Sequence, residues 1–241
     1  MLLPNASGPL RHVEVDVARL LLILRRFGEA PSAAVQEMQC WPNRPVILYF
    51  TPEYRLQKID FLLRYPAYFA YELIELHRMR IPSASDRTSV IGIINKILGE
   101  KEPERRTDLY RKFLRGAYEQ LDRVEAFWHS RHLIYTGTEP RGPFYSGSRP
   151  QKYYFLTTEA VNLADTLARE VDHARWYAER ISLIHDYFGD LPASRLKTLQ
   201  YSHQAYREAQ IAELIPDLPQ EEIAANFERV FGEPLRVNFD E

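Results

Sequence analysis

Apolar residues recur at the helical period along most of this chain, and prolines and glycines punctuate the pattern. Val13 to Phe27 is apolar on most sides, with Glu14, Asp16, Arg19, Arg25 and Arg26 as its polar positions, and Gly28 is a natural stop. A helix that apolar belongs in the body of the fold or at a subunit contact. Between Ala30 and Pro52 the prolines Pro31, Pro42, Pro45 and Pro52 break the pattern, and Val46-Ile47-Leu48-Tyr49-Phe50 reads as a short strand. Glu53 to Arg64 is a helix with Leu56, Ile59, Leu62 and Leu63 on one face and Asp60 and Arg64 as polar positions. Pro66 opens a new helix, because proline fits a first turn but removes an interior hydrogen bond. Thr88 to Leu98 repeats Val90, Ile91, Ile94, Ile97 and Leu98 at helical spacing before Gly99. The charged Glu100 to Glu104, with Pro103, is a linker.

The middle of the chain changes character. Thr107 to Leu114 predicts a helix, Gly116 a turn, and Ala117 to Arg131 a second helix with Tyr118, Leu121, Val124, Phe127 and Trp128 on its apolar face. Strands Leu133 to Thr136 and Lys152 to Leu156 flank residues 139–150, where Pro140, Gly142, Pro143, Gly147 and Pro150 forbid a regular element. Helix, turn, helix and a two-stranded ribbon in that order are the pattern of a winged helix-turn-helix. Thr158 to Phe188 then predicts one helix, about 45 Å long at 1.5 Å per residue. Its inward stripe is Ala164, Leu167, Val171, Ala174, Ala178, Ile181 and Phe188. Ser194 caps a further helix toward Ile215. Asp217-Leu218-Pro219 starts a last one, with Ile223, Phe227, Val230 and Phe231 inward and Gly232 at its end. The expected fold is mainly α: a winged helix-turn-helix with a two-stranded wing embedded in a larger helical body. Three regions follow: residues 1–100 helical, 101–160 the winged helix, 161–241 helical.

Charge sharpens this. The 241 residues carry a net charge of −2, yet residues 105–152 hold ten Lys/Arg against five Asp/Glu, leaving the remainder at −7. A basic segment coinciding with a winged helix points to nucleic-acid backbone. The candidate phosphate contacts are Arg105, Arg106, Arg111, Lys112 and Arg115 ahead of the second helix, and Arg141, Arg149 and Lys152 in the wing region. Sequence-specific reading is disfavoured, because that helix carries Glu119, Asp122 and Glu125 beside Gln120, Arg123, His129 and Arg131. Tyr145 in the wing packs on a partner or serves as an ordinary loop residue. The lone Cys40 excludes a disulfide framework and a cysteine-based zinc site. Leu20 to Leu24 is bracketed by Arg19 and Arg25 and falls far short of a membrane span. The lone thiol fits a cytoplasmic setting, and Met1 to Asn5 lack the basic and apolar regions of a signal peptide.

Enzyme motifs are scarce. The chain has no Glu-x-Lys or Asp-x-Lys of metal nucleases, no phosphate-binding Gly-x-x-x-x-Gly-Lys loop, no Gly-x-Ser-x-Gly and no His-Glu-x-x-His. Ser194 and Lys197 match Ser-x-x-Lys, and Glu170 and His173 match half of a di-iron motif, but a capping serine and a solvated helix face account for them. Arg180 and His185 have the Arg-x4-His spacing of HEPN-type ribonucleases, with an isoleucine after the arginine where that family has a polar residue. His129 and His132 suit surface or packing roles. No catalytic residue, metal or cofactor is expected, and no small-molecule substrate.

Arg55-Leu56-Gln57-Lys58-Ile59-Asp60-Phe61-Leu62-Leu63-Arg64-Tyr65-Pro66 resembles the leucine-rich helix and Tyr-Pro segment of the middle components of ABC-three-component, Lamassu-type bacterial defence systems. Tyr154-x-Leu156-Thr157 followed by Ala160 is similar to the Tyr-x-Leu-Thr-x-x-Gly ending of winged helices, with alanine in place of glycine. The resemblance implies a non-enzymatic accessory subunit of an SMC-like ATPase complex with a separate effector, acting in antiviral or anti-plasmid defence on double-stranded DNA. The alternatives are a stand-alone winged-helix transcription regulator and a HEPN-like ribonuclease.

Overall fold

A computed structural model describes residues 13–37, 45–100, 111–113, 116–118, 121–138, 151–203 and 215–236. Its elements run α1 (Val13–Phe27), α2 (Ala33–Glu37), β1 (Val46–Phe50), α3 (Glu53–Arg64), α4 (Pro66–Arg78) and α5 (Arg87–Gly99). Then come β2 (Arg111–Phe113), β3 (Gly116–Tyr118), α6 (Asp122–Ser130), β4 (Ile134–Thr138) and β5 (Lys152–Thr157). The chain continues through α7 (Thr158–Glu170), α8 (Asp172–Phe188), α9 (Ala193–Ser202) and α10 (Gln220–Phe231). The architecture is mainly helical, around one small three-stranded antiparallel sheet.

Helix α1 is the hub. Leu21, Ile23 and Leu24 are fully buried, and α1 packs against α3, α6, α7, α8 and the sheet. Its one polar side chain in that core, Arg19, is 1% exposed and forms a bidentate pair with Asp60 of α3. Asp16 adds a bond to Arg19 at 2.6 Å, and Arg64 lies 3.9 Å from Asp60. Charges this deep persist only when paired, because stranding one costs several kcal/mol. At the end of α1, a Cβ on Gly28 would sit 2.7 Å from the Leu24 carbonyl oxygen and 3.2 Å from the Leu48 Cβ. Glycine permits that close pass, and Glu29 then exchanges backbone hydrogen bonds of 2.9 and 2.8 Å with Tyr49 of β1.

The sheet order is β1-β5-β4. Strand β4 pairs β5 with Ile134 opposite Leu156 and Thr138 opposite Lys152, so the two segments flanking residues 139–150 do form an antiparallel ribbon. Strand β1 closes the other edge of β5, with Phe50 opposite Tyr154. Ile134, Tyr154, Leu156 and Phe50 share one face and join the helical core.

Three expectations are corrected. The described part of the expected helix 107–114 is strand instead: residues 111–113 pair antiparallel with 116–118, Phe113 opposite Gly116, while residues 107–110 and 114–115 lie outside the described residues. Phe113 and Tyr118 suit strands, and strand pairing across this stretch prevails over the helix–turn–helix reading, with β3 against α3. Helix α6 accordingly opens at Asp122 rather than Ala117. The expected helix through 158–188 is broken at Val171, whose φ of −111° and ψ of 116° are extended. The break lets α7 and α8 pack on each other and both on α1, which a straight rod could not do. Finally, Pro192 rather than Ser194 holds the cap position of α9, and the stretch 204–214 beyond it lies outside the described residues.

Candidate docking face at the three-stranded sheet

Helix α6 reaches the ribbon through a tight corner. Leu133 donates its N–H to the Trp128 carbonyl at 2.9 Å, and His132 takes a left-handed φ of 56°. Histidine is among the few non-glycine residue types enriched there. Val124 and Trp128 are buried on the inner side of α6, Trp128 completely, with its ring edge-on to Tyr154 at 6.3 Å. Thr157 of β5 accepts the Ala160 N–H at 3.2 Å and so caps α7, while its hydroxyl donates to the Leu133 carbonyl at 2.9 Å. One threonine thus locks ribbon, corner and following helix together.

A polar cluster lies on the core side of the ribbon. The Tyr154 hydroxyl donates to Glu125 Oε1 at 3.0 Å, and the Lys152 ammonium binds the same oxygen. Glu53 Oε2 stands 3.5 Å from Lys152 Nζ, and that ammonium sits 5.6 Å from the Tyr154 ring centroid. Glu125 therefore turns inward instead of toward a groove. The exposed face of α6 and its corner is Asp122, Arg123, Ala126, His129, Ser130, Arg131 and His132. His129 Nε2 lies 3.2 Å from Thr136 Oγ1, His132 Nδ1 3.3 Å from the Tyr135 hydroxyl, and Arg131 covers the Phe127 ring at 5.6 Å.

The candidate phosphate contacts divide as follows. Arg111 and Lys112 lie on β2. Arg105, Arg106, Arg115, Arg141 and Arg149, with Tyr145, fall outside the described residues. Lys152 is not presented to a ligand, since two carboxylates hold its ammonium and its side chain is only 27% exposed. Lys152→Met should lower stability by about 1–2 kcal/mol, because Glu125 would keep only the Tyr154 hydroxyl. It should leave the salt dependence of duplex binding unchanged. Urea titration and fluorescence anisotropy with duplex DNA at two salt concentrations read both quantities, and a flattened salt slope would return Lys152 to the phosphate contacts.

The other candidate chemistry disperses. Arg180 is 3% exposed and donates to the Ile97 carbonyl at 3.3 Å and to Glu100 at 3.4 Å, with Trp176 against its guanidinium. His185 instead packs edge-on to Phe27 of α1, beside Arg26 and Asp186. Arginine and histidine thus face different elements. Glu170 and His173 are exposed, and among the described residues no three metal-binding side chains converge. No helix among the described residues is long and apolar enough to cross a membrane. One feature the sequence did not mark is a buried pair on the far side of α4, Glu72 with His203. Compared with known proteins, the chain matches no family model, no curated protein and no solved structure.

Proposed function

We propose that this chain is a non-catalytic accessory subunit built on a winged-helix core, a scaffold for an SMC-like ATPase complex that contacts DNA backbone. The sheet order carries the proposal: α1, β1 and α3 precede α6, which runs directly into the β4–β5 ribbon, and β1 closes the ribbon's inner edge. With α2 and residues 65–121 set aside, this order supports reading α1, α3 and α6 as the three helices of a winged helix that draws on residues well before the expected 101–160. Residues 65–121 would then be an insertion into the module, carrying α4, α5 and the β2–β3 hairpin. Such additions enlarge the surface available to partner proteins rather than to a groove. The phosphate contacts proposed for it are Arg105, Arg106, Arg111, Lys112, Arg115, Arg141 and Arg149. A role in defence against phage or plasmids, with a separate effector, and a cytoplasmic location complete the proposal.

A stand-alone DNA-binding regulator is the second reading, and one observation favours it. With Glu125 turned inward, Asp122 is the only carboxylate among the described exposed positions of α6, against Arg123 and His129 there and Arg131 at its C-terminal end. Anisotropy titrations with duplex DNA separate the two. An accessory subunit alone should bind without sequence preference and weakly, with a Kd of about 10⁻⁴–10⁻⁶ M at physiological salt. A regulator should bind the DNA upstream of its own gene at about 10⁻⁸ M or tighter.

A further inference from the structure

The junction of α4 and α9 holds two titratable side chains that the proposed function does not use. Glu72 and His203 are each 2% exposed. Glu72 Oε1 and both ring nitrogens of His203 have no hydrogen-bond partner among the described residues, and Nε2 stands 3.9 Å from Oε1. The imidazole is held edge-on by Tyr68 at 4.9 Å and Tyr71 at 4.5 Å. Buried polar groups are almost always satisfied, so a pair left just beyond bonding distance calls for a reason. A small approach of the two helices would close the gap, and the resulting bond needs one proton between oxygen and nitrogen.

The surroundings decide where that proton sits. Lys58 of α3 is the cation acting on Glu72, and Glu75 of α4 the anion acting on His203. Asp217, just before α10, and Glu222 on α10 act on Tyr68, while Arg229 of α10 acts on Tyr71. Arg78 and Arg229 both bind Glu75. Burial outweighs these neighbours. It pushes the Glu72 carboxyl up to about 8 against the pull of Lys58, and the His203 imidazole down to about 4 against that of Glu75. Near neutral pH both are uncharged, so the contact is a carboxylic acid facing a neutral imidazole rather than an ion pair.

We propose that the α4–α9 junction is a proton-operated latch, in which one proton shared by Glu72 and His203 holds α9 down and its loss to solvent base lets α9 open. The open state gives both groups their ordinary values, near 4.5 and 6.5. Opening therefore releases a proton from Glu72 between about 4.5 and 8, and takes one up on His203 between about 4 and 6.5. From pH 4.5 to 6.5 the two slopes cancel and the latch is insensitive to pH. From pH 6.5 to 8 only Glu72 acts, and opening becomes tenfold easier per pH unit, about thirtyfold in all.

Hydrogen exchange on the full chain, corrected for the intrinsic rate at each pH, reads this directly from peptides covering α9, with α7 peptides as reference. Wild type should show a flat opening constant for α9 between pH 4.5 and 6.5 and a rise of about thirtyfold by pH 8, with α7 unchanged. Glu72→Gln should remove the rise. His203→Gln should extend the tenfold-per-unit slope down to about pH 4.5, because the compensating imidazole is gone. That second variant keeps the test decisive if the first folds poorly by circular dichroism. A wild-type constant that is flat to pH 8, a rise that persists in Glu72→Gln, or a plateau retained in His203→Gln overturns the latch.

Discussion

Asp60→Ala should lower the stability of this protein by about 3–5 kcal/mol, a large part of the roughly 5–15 kcal/mol that holds a domain folded. Asp60 is 1% exposed and takes both the Nε and Nη2 donors of Arg19, with Arg64 3.9 Å away. Arg19 and Arg64 are themselves buried, at 0% and 3% side-chain exposure. Removing the carboxylate leaves two guanidinium groups in the core with one shared anion fewer. The contribution of the pair to net stability is small, but breaking it from one side is costly, because the remaining charge cannot reach water. Asp60→Asn should fall between alanine and wild type, since the amide oxygen still accepts from Arg19. Urea denaturation followed by circular dichroism reads the difference as a shifted midpoint at unchanged slope. A loss below about 1 kcal/mol for Asp60→Ala would place the cluster in solvent and contradict the core described for α1 and α3.

Trp128→Ala should cost about 3–5 kcal/mol, the range for emptying a buried tryptophan site. Among the described residues Trp128 is the largest fully buried side chain, and it joins α6 to the ribbon through an edge-on contact with Tyr154. Its loss opens a cavity between helix and sheet that Val124 and Leu133 cannot fill. Trp128→Phe should be far milder, about 1–2 kcal/mol. The indole N–H has no partner among the described residues, so phenylalanine removes an unsatisfied donor along with some volume. Thermal unfolding of both variants is the measurement. Equal losses would mean that the indole nitrogen is bonded and that the site is not a simple apolar socket.

Much of the fold was legible where local signals agree. Leucines at helical spacing with Pro66 after them define α3 and α4, and Gly232, in the left-handed conformation at φ 71°, closes α10 as its position suggested. The β4–β5 ribbon followed from two β-rich segments around a proline-studded stretch. The helix over 107–114 was misread because Gly116 is punctuation that a helix pair and a strand pair share, and pairing between strands decided it. The break at Val171 failed for a related reason: its neighbours continue the helical period, and only packing on α1 requires the turn. The polar residues were hardest. Asp60 and Arg64 read only as the polar positions of α3, and the partner that holds Asp60 in the core, Arg19, lies 41 residues earlier in the chain. Glu125 looked like a groove-facing carboxylate until Lys152 and Tyr154 arrived from β5. The Glu72–His203 pair joins two helices far apart in sequence, and no spacing could have announced it.

Affinity purification of the tagged chain, co-expressed with the genes on either side of its own and followed by light scattering on the eluted complex, tests the accessory role most directly. The scaffold proposal predicts an SMC-like ATPase in fixed stoichiometry with this chain, and duplex binding by the complex tighter than the weak, non-specific binding of the chain alone. A lone homodimer that grips its own upstream DNA at moderate salt, with no ATPase recovered, would contradict it.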